Sequence, residues 1–131
     1  MEEWAFDFEW LKVRHQVKDA MQQQNLPTLQ IILFLVGIQE LGVWKEEFTK
    51  EEKQDLMHIG VCAILADEGY YKFEGRDEQG WPHFIEIKPV EKQSVDDQEH
   101  FLKLAVIKYF QKKEQNAVHF KMTDDLIQPG N

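Results

Sequence analysis

Two carboxylate–histidine pairs are the first residues in this 131-residue chain whose spacing could do chemistry. Asp55-Leu-Met-His58 and Asp97-Gln-Glu-His100 each set an acid three residues before a histidine. On a helix that spacing puts both side chains on one face. Helical di-metal sites use this geometry with Glu-x-x-His pairs, completed by a Glu from each of two further helices. Glu40 is a candidate for one such further ligand, and the sequence offers no convincing second one. The acids here are Asp, and Asp97 falls where a helix uses an acid in its first turn. With 24 acidic residues and 5 histidines, such pairs also arise easily by chance.

A second group is His58 and Cys62, four residues apart, which His83 could approach from elsewhere in the chain. A His/Cys pair can bind zinc or support a thiolate nucleophile, but both uses need further partners. A lone cysteine in an apolar helix usually behaves as a small hydrophobe, and a histidine there is more often a core residue than a ligand. Together, Glu40, Asp55, His58, Cys62, His83 and His100 are the residues that a metal or small-ligand site would use. A third group is the polar-aromatic set Tyr70, Tyr71, Arg76, Asp77, Trp81, His83 and Phe84. Exposed aromatics beside an arginine suit a protein interface, and Arg76, Asp77, Trp81, His83 and Phe84 form the candidate interaction surface. A small sheet also needs inward aromatics simply to pack, so part of this set belongs to the core on that ground alone. No phosphate-cradling glycine loop, Gly-x-Ser-x-Gly elbow, Cys-x-x-Cys or His-Glu-x-x-His is present. No cofactor is expected.

The elements that would position these groups are well signposted. Thr49-Lys-Glu-Glu52 is a capping box, Leu56 to Ala66 an apolar helical body, and Gly69 its stop. Tyr70 to Gly75 and Trp81 to Lys88 read as two strands of a hairpin, with Gly80 at positive φ in the turn. Pro82 cannot donate to a ladder, which places it at an edge or beyond the paired region. Gly60 would allow a neighbouring helix to approach closely. Upstream, Thr28 to Leu41 is apolar all round and predicts a buried helix ended by Gly42. Its apolar run of about ten residues falls short of the ~20 that a membrane span needs.

At the start, Trp4, Phe6, Phe8 and Trp10 alternate as in a strand, but Asp7 can serve as an N-cap with Phe6 and Leu11 as a staple around it. The spacing from Trp10 onward predicts a helix from about Phe8 to Gln24, and the aromatics are read as core cover, with a dimer contact as the alternative. Downstream, Ser94 caps a last long helix with the stripe Leu102, Ala105, Val106, Tyr109 and Phe110, ending near Gln115. Val118, Phe120 and Met122 alternate again and allow a third strand over 117–122 or an ordered tail, with fraying over 123–131.

Length predicts a single domain over residues 1–131, large enough to fold without metal or disulfide. One cysteine precludes an intrachain disulfide. The acidic opening Met1-Glu-Glu-Trp4 is unlike a secretory leader, so a cytoplasmic setting is expected. A formal net charge of −9 disfavours binding to double-stranded nucleic acid, because the local basic excess at Lys108, Lys112 and Lys113 is too small to neutralise a phosphate backbone.

The runs Val36-Gly-Ile-Gln-Glu-Leu-Gly42, Thr49-Lys-Glu-Glu-Lys-Gln-Asp-Leu-Met-His58 and Gly80-Trp-Pro-His83 resemble a family of small uncharacterised bacterial proteins of similar length. The likeness implies a cytosolic protein and brings no activity, ligand or site. The expected architecture is α+β and mainly helical: about four helices, two of them central, packed with a small antiparallel hairpin. The expected role is a non-enzymatic interaction or homo-oligomerising module; the alternative is a metal or small-ligand site near His58, Glu40 and His83.

Overall fold

The computed structural model describes the backbone of residues 1–127 and the side chains of residues 1–114. Four helices and one hairpin follow in the order α1 (Glu3–Ala20), α2 (Leu29–Leu41), α3 (Lys50–Ala66), β1 (Tyr71–Arg76), β2 (Pro82–Glu86) and α4 (Val95–Ile127). The α+β, mainly helical class and the central pair of apolar helices are as expected.

The central pair is α2 and α3. Thr28 caps α2 by accepting from the Ile31 N–H, and Gly42 closes it in the left-handed region at φ 81°. Thr49 and Glu52 form the full capping box of α3, each accepting from the other's backbone N–H. The two helices run antiparallel and touch at the backbone. A Cβ on Gly60 would collide with the Leu33 carbonyl, and one on Gly37 with the Leu56 carbonyl. Two glycines therefore set the distance between the helices, one from each side of the crossing. Ile32, Val36, Leu56, Ile64, Val106 and Ile107 are fully buried around this contact, with α1 and α4 supplying cover.

Helix α1 begins at Glu3, earlier than the expected start near Phe8, and Asp7 lies inside it instead of capping it. The reason is the spacing Phe6, Trp10, Val13, Val17, which buries one continuous helical stripe from the first turn onward. The aromatic alternation is thus divided between two opposite faces of one helix. Phe6 and Trp10 point inward at 7% and 9% exposure, while Trp4 and Phe8 point outward at 72% and 62%. Gln22 at φ 53° turns the chain out of the helix, short of the expected Gln24.

The hairpin pairs Tyr71 with Glu86, Phe73 with Phe84 and Arg76 with Pro82, with a register shift between Phe73 and Gly75. Gly75 at φ 140° and Gly80 at φ 87° occupy backbone regions that side chains disfavour. On β2 the inward face is that of Pro82 and Phe84, while Ile85 and Ile87 are exposed. The third strand considered over 117–122 is not formed, because those residues continue α4 to Ile127. No Gly or Pro lies between Val95 and Ile127, so nothing breaks the helix where three alternating apolar residues hinted at a strand. Of the tail considered frayed, residues 123–127 belong to α4 and 128–131 lie outside the described residues. No helix among the described residues is long and apolar enough to cross a membrane.

Candidate functional site

The polar side of α3 faces the turn end of the hairpin across a cleft of about 580 Å³. Glu52, Asp55, Ile59 and Cys62 follow one another at helical spacing along one wall, with His58 beside them. Asp77, Gln79, Trp81, Pro82, His83 and Phe84 form the other wall. The hairpin thus brings His83 to the same cavity as the His58/Cys62 pair.

The hairpin wall is held by two devices. Arg76 donates from Nη1 to the Gly80 carbonyl (2.8 Å) and the Leu41 carbonyl (3.2 Å), and from Nη2 to the Glu40 carbonyl (2.5 Å). A guanidinium there meets the negative end of the α2 dipole and satisfies carbonyls that the helix leaves unpaired. Arg76 therefore fastens the turn to α2, 35 residues upstream, with three of its five N–H donors given to backbone carbonyls. Asp77 organises the turn itself. Its Oδ1 accepts from the backbone N–H groups of Gln79 (2.9 Å) and Trp81 (3.0 Å), and its Oδ2 lies 2.9 Å from His83 Nε2. The hydrogen bond from His83, then that from the Trp81 backbone, hold the Asp77 carboxyl below its ordinary pKa. An ionised carboxylate only accepts, so His83 carries its proton on Nε2, and neutral His83 keeps Nδ1 as an acceptor.

On the helix wall, Lys45 pairs with Glu52 at 2.7 Å. That hydrogen bond, followed by the one from the Thr49 backbone, lowers the Glu52 pKa. Cys62 is buried as expected, whereas His58, expected in the core, lies on the polar side of α3 and is exposed, with its Nε2 3.6 Å from the Cys62 sulfur. Burial pushes the Cys62 thiol up to about 11. At neutral pH the sulfur keeps its proton, the reverse of what a reactive thiolate needs.

The other candidate ligands lie elsewhere. The Glu40 carboxylate accepts from the Tyr109 hydroxyl at 3.0 Å. Burial first, and then the Glu40 charge, raise the Tyr109 phenol's pKa. Glu40 borders a different, smaller cavity of about 290 Å³ with Asp67, Tyr109 and Lys112. His100 stacks on Phe6 with ring centroids 4.1 Å apart, at the junction of α1 and α4. Asp97 stands in the first turn of α4, its N–H donating to Ser94 Oγ. The cleft gathers Asp55, His58, Cys62, Asp77, Trp81, His83 and Phe84 and leaves out Glu40, Arg76 and His100. Among the described residues, no three His, Cys, Asp or Glu side chains converge to hold a metal ion. Sequence reasoning missed the contributions of Glu52, Ile59, Gln79 and Pro82 to the walls. Only Glu52 carried a signal, its three-residue register with Asp55.

A second surface stands apart from the cleft. On α1, Trp4, Phe8 and Leu11 form an outward stripe at i, i+4 and i+7, opposite the buried stripe of Phe6, Trp10, Val13 and Val17. Glu2, Glu3, Asp7 and Glu9 make the first half of this segment acidic, while its second half carries Lys12 and Lys18 beside Asp19, with Arg14 turned to the Leu26 and Pro27 carbonyls. Compared with protein-family models, curated proteins and solved structures, the chain matches none of them.

Proposed function

We propose that the protein is a non-enzymatic interaction module that works as a homodimer, two copies meeting through the outer face of α1. The observation that carries this reading is the second apolar stripe on α1, with Trp4, Phe8 and Leu11 at 72%, 62% and 43% exposure. Scattered apolar residues are ordinary on a surface, but a contiguous aromatic stripe on one helix face is what a binding surface presents.

Charge favours a second copy of this chain as the occupant. Antiparallel pairing of α1 with its copy brings Glu2 and Glu3 of each helix toward Lys12 of the other, whereas parallel pairing would set the two acidic starts together. Two large aromatics per copy, each worth ~150–250 Å² when fully covered, make the centre of such a contact. Flanking side chains would bring it toward the ~1,200 Å² at which stable interfaces begin. The protonated Cys62 thiol and the absence of recognisable catalytic motifs support a non-enzymatic role. The net charge of −9 supports a protein partner over duplex nucleic acid, and a single, buried, free cysteine fits a cytoplasmic setting.

Light scattering on the eluting protein at micromolar concentration tests the reading. Twice the chain mass of 15.6 kDa is expected for the wild type, and the single-chain mass for Phe8→Glu with its helical circular dichroism unchanged. A wild-type protein that stays at the single-chain mass at those concentrations would sink the proposal.

A further inference from the structure

We infer that the cleft between α3 and the hairpin is a binding site for a small organic cation: an amidinium, guanidinium or ammonium group carried on a flat apolar body. The inference is independent of α1 pairing, since none of the residues it uses lies on α1.

Size comes first. A cleft of about 580 Å³ falls within the ~300–1,000 Å³ range of small-molecule sites. Its apolar surface is aromatic and rigid: Trp81 and Phe84 are half-buried, Pro82 is buried, and Ile59 lies on the opposite wall. Such a lining takes a flat body and offers a ring face to a positive charge.

The polar groups then select the sign of the ligand. Among the described residues no Lys or Arg borders the cleft, whereas Glu52, Asp55 and Asp77 do. Lys45 already neutralises Glu52, and His83 hydrogen-bonds Asp77. Asp55 takes no part in the ion pairs among the described residues, so one carboxylate is left uncompensated. The uncommitted polar atoms include acceptors, beside the donors of the Trp81 indole and the Gln79 amide. The Asp55 oxygens only accept, and His83, with Nε2 given to Asp77, presents Nδ1 as an acceptor when neutral. A cation bearing several N–H donors satisfies these acceptors and offsets the Asp55 charge, while an anion would meet that carboxylate with no Lys or Arg on the lining to offset it. Neither Arg76 nor Cys62 is needed: the first is committed to backbone carbonyls and the second is a neutral thiol on the helix wall.

Titration of the ¹⁵N-labelled full chain with benzamidinium, followed by amide and indole N–H shifts, is the test; benzamide and benzoate serve as neutral and anionic isosteres. Benzamidinium is expected to move the Trp81 indole and the amides of Asp55, His58 and Gln79 in a saturable way. Benzamide should bind roughly tenfold more weakly, in line with the loss of a charge-assisted hydrogen bond, and benzoate should leave those signals in place. Asp55→Asn, at an exposed position outside the ion pairs among the described residues, should lower benzamidinium affinity by a similar roughly tenfold factor. Trp81→Leu should also weaken it, and Phe8→Glu should leave it unchanged. No saturable shift at millimolar benzamidinium overturns the proposal, as does equal binding of benzoate or undiminished affinity in Asp55→Asn. An arginine-containing peptide that displaces benzamidinium and binds far more tightly overturns the small-molecule assignment and gives the cleft to a protein side chain.

Discussion

Helix α3 has two faces that meet their neighbours in opposite ways. Toward α2, Gly60 lets backbone lie on backbone, with no room for a methyl group. Toward the hairpin, Glu52, Asp55 and Cys62 stand back from Trp81 and Phe84 and leave about 580 Å³ open. The same 17-residue helix is thus closed on one side by a small-residue crossing and kept open on the other by polar side chains. Where backbones touch, position is fixed by sterics and tolerates no change. Where only side chains meet, polar fastenings hold the wall and the cavity can serve a ligand.

The closed face should give the largest effect. In an exposed helix Gly→Ala gains up to ~1 kcal/mol. For Gly60→Ala the sign should reverse, because the added Cβ meets the Leu33 carbonyl and forces the helices apart. A loss of ~3 kcal/mol or more is expected, at the upper end of overpacking costs, seen as a fall in melting temperature of more than ~10 °C. Gly37→Ala should behave alike through Leu56. A raised or unchanged melting point for either variant would break the contrast.

The fastening of the open face comes next. Arg76→Ala removes the hydrogen bonds to Glu40, Leu41 and Gly80. The partly exposed position sets the expected loss at ~1–2 kcal/mol in a urea titration, with faster amide exchange at Gln79 and Trp81. Lysine at this position should recover only part, since it cannot span three carbonyls with a planar fork. Amide exchange unaltered in Arg76→Ala would show that the turn holds without α2.

How far the sequence foretold these features depends on the range of the interaction. Capping at Thr49, the positive-φ glycines at the helix stops Gly42 and Gly69 and in the hairpin turn at Gly80, and the permissive Gly60 were legible because each is a local device. Gly37 was not, since only the crossing shows that it opposes Leu56. The start of α1 was misread because Asp7 offered a plausible cap, whereas the stripe that decides the helix begins one residue earlier, at Phe6. The end of α4 was misread from three alternating residues in a tract with no breaker. At the site, His58, Cys62 and His83 were grouped in advance and border one cleft. Glu40 and His100 do not join them, because spacing along a helix says which residues share a face but not which face meets which. Arg76 looked available to a partner, since nothing local indicates acceptors 35 residues away.

Smaller effects concern protons. Asp77 has a lowered folded-state pKa owing to His83 and the Trp81 backbone. Its contribution is therefore present above the ordinary carboxylate pKa and lost as pH falls through the lower folded value. Wild type and Asp77→Asn should differ in stability at pH 7 and converge in strong acid; curves that stay parallel throughout would remove the Asp77–His83 link. Cys62 has the opposite sign. Its folded-state pKa is raised to about 11 by burial, so the contribution is complete below the ordinary thiol pKa and lost as pH rises toward 11. Native-state alkylation should be slow at pH 7.5 and rise with a midpoint near 11, against ~8.5 for a free thiol. A midpoint near 8.5 would mean that the cleft exposes the sulfur.

The central functional claim is that α1 pairs antiparallel with a second copy. The direct measurement is a spin–spin distance between nitroxides in a Cys62→Ala background, comparing Glu3→Cys with Glu3→Cys and Glu3→Cys with Lys18→Cys across copies. At ~1.5 Å rise per residue, positions 3 and 18 lie ~22 Å apart along α1. Antiparallel pairing centred on Phe8 sets positions 3 and 18 of opposite copies ~8 Å apart along the axis and the two position-3 labels ~15 Å apart, so the 3–18 distance is the shorter. A shorter distance between the two position-3 labels than between positions 3 and 18, or no dipolar coupling between copies at all, would contradict it.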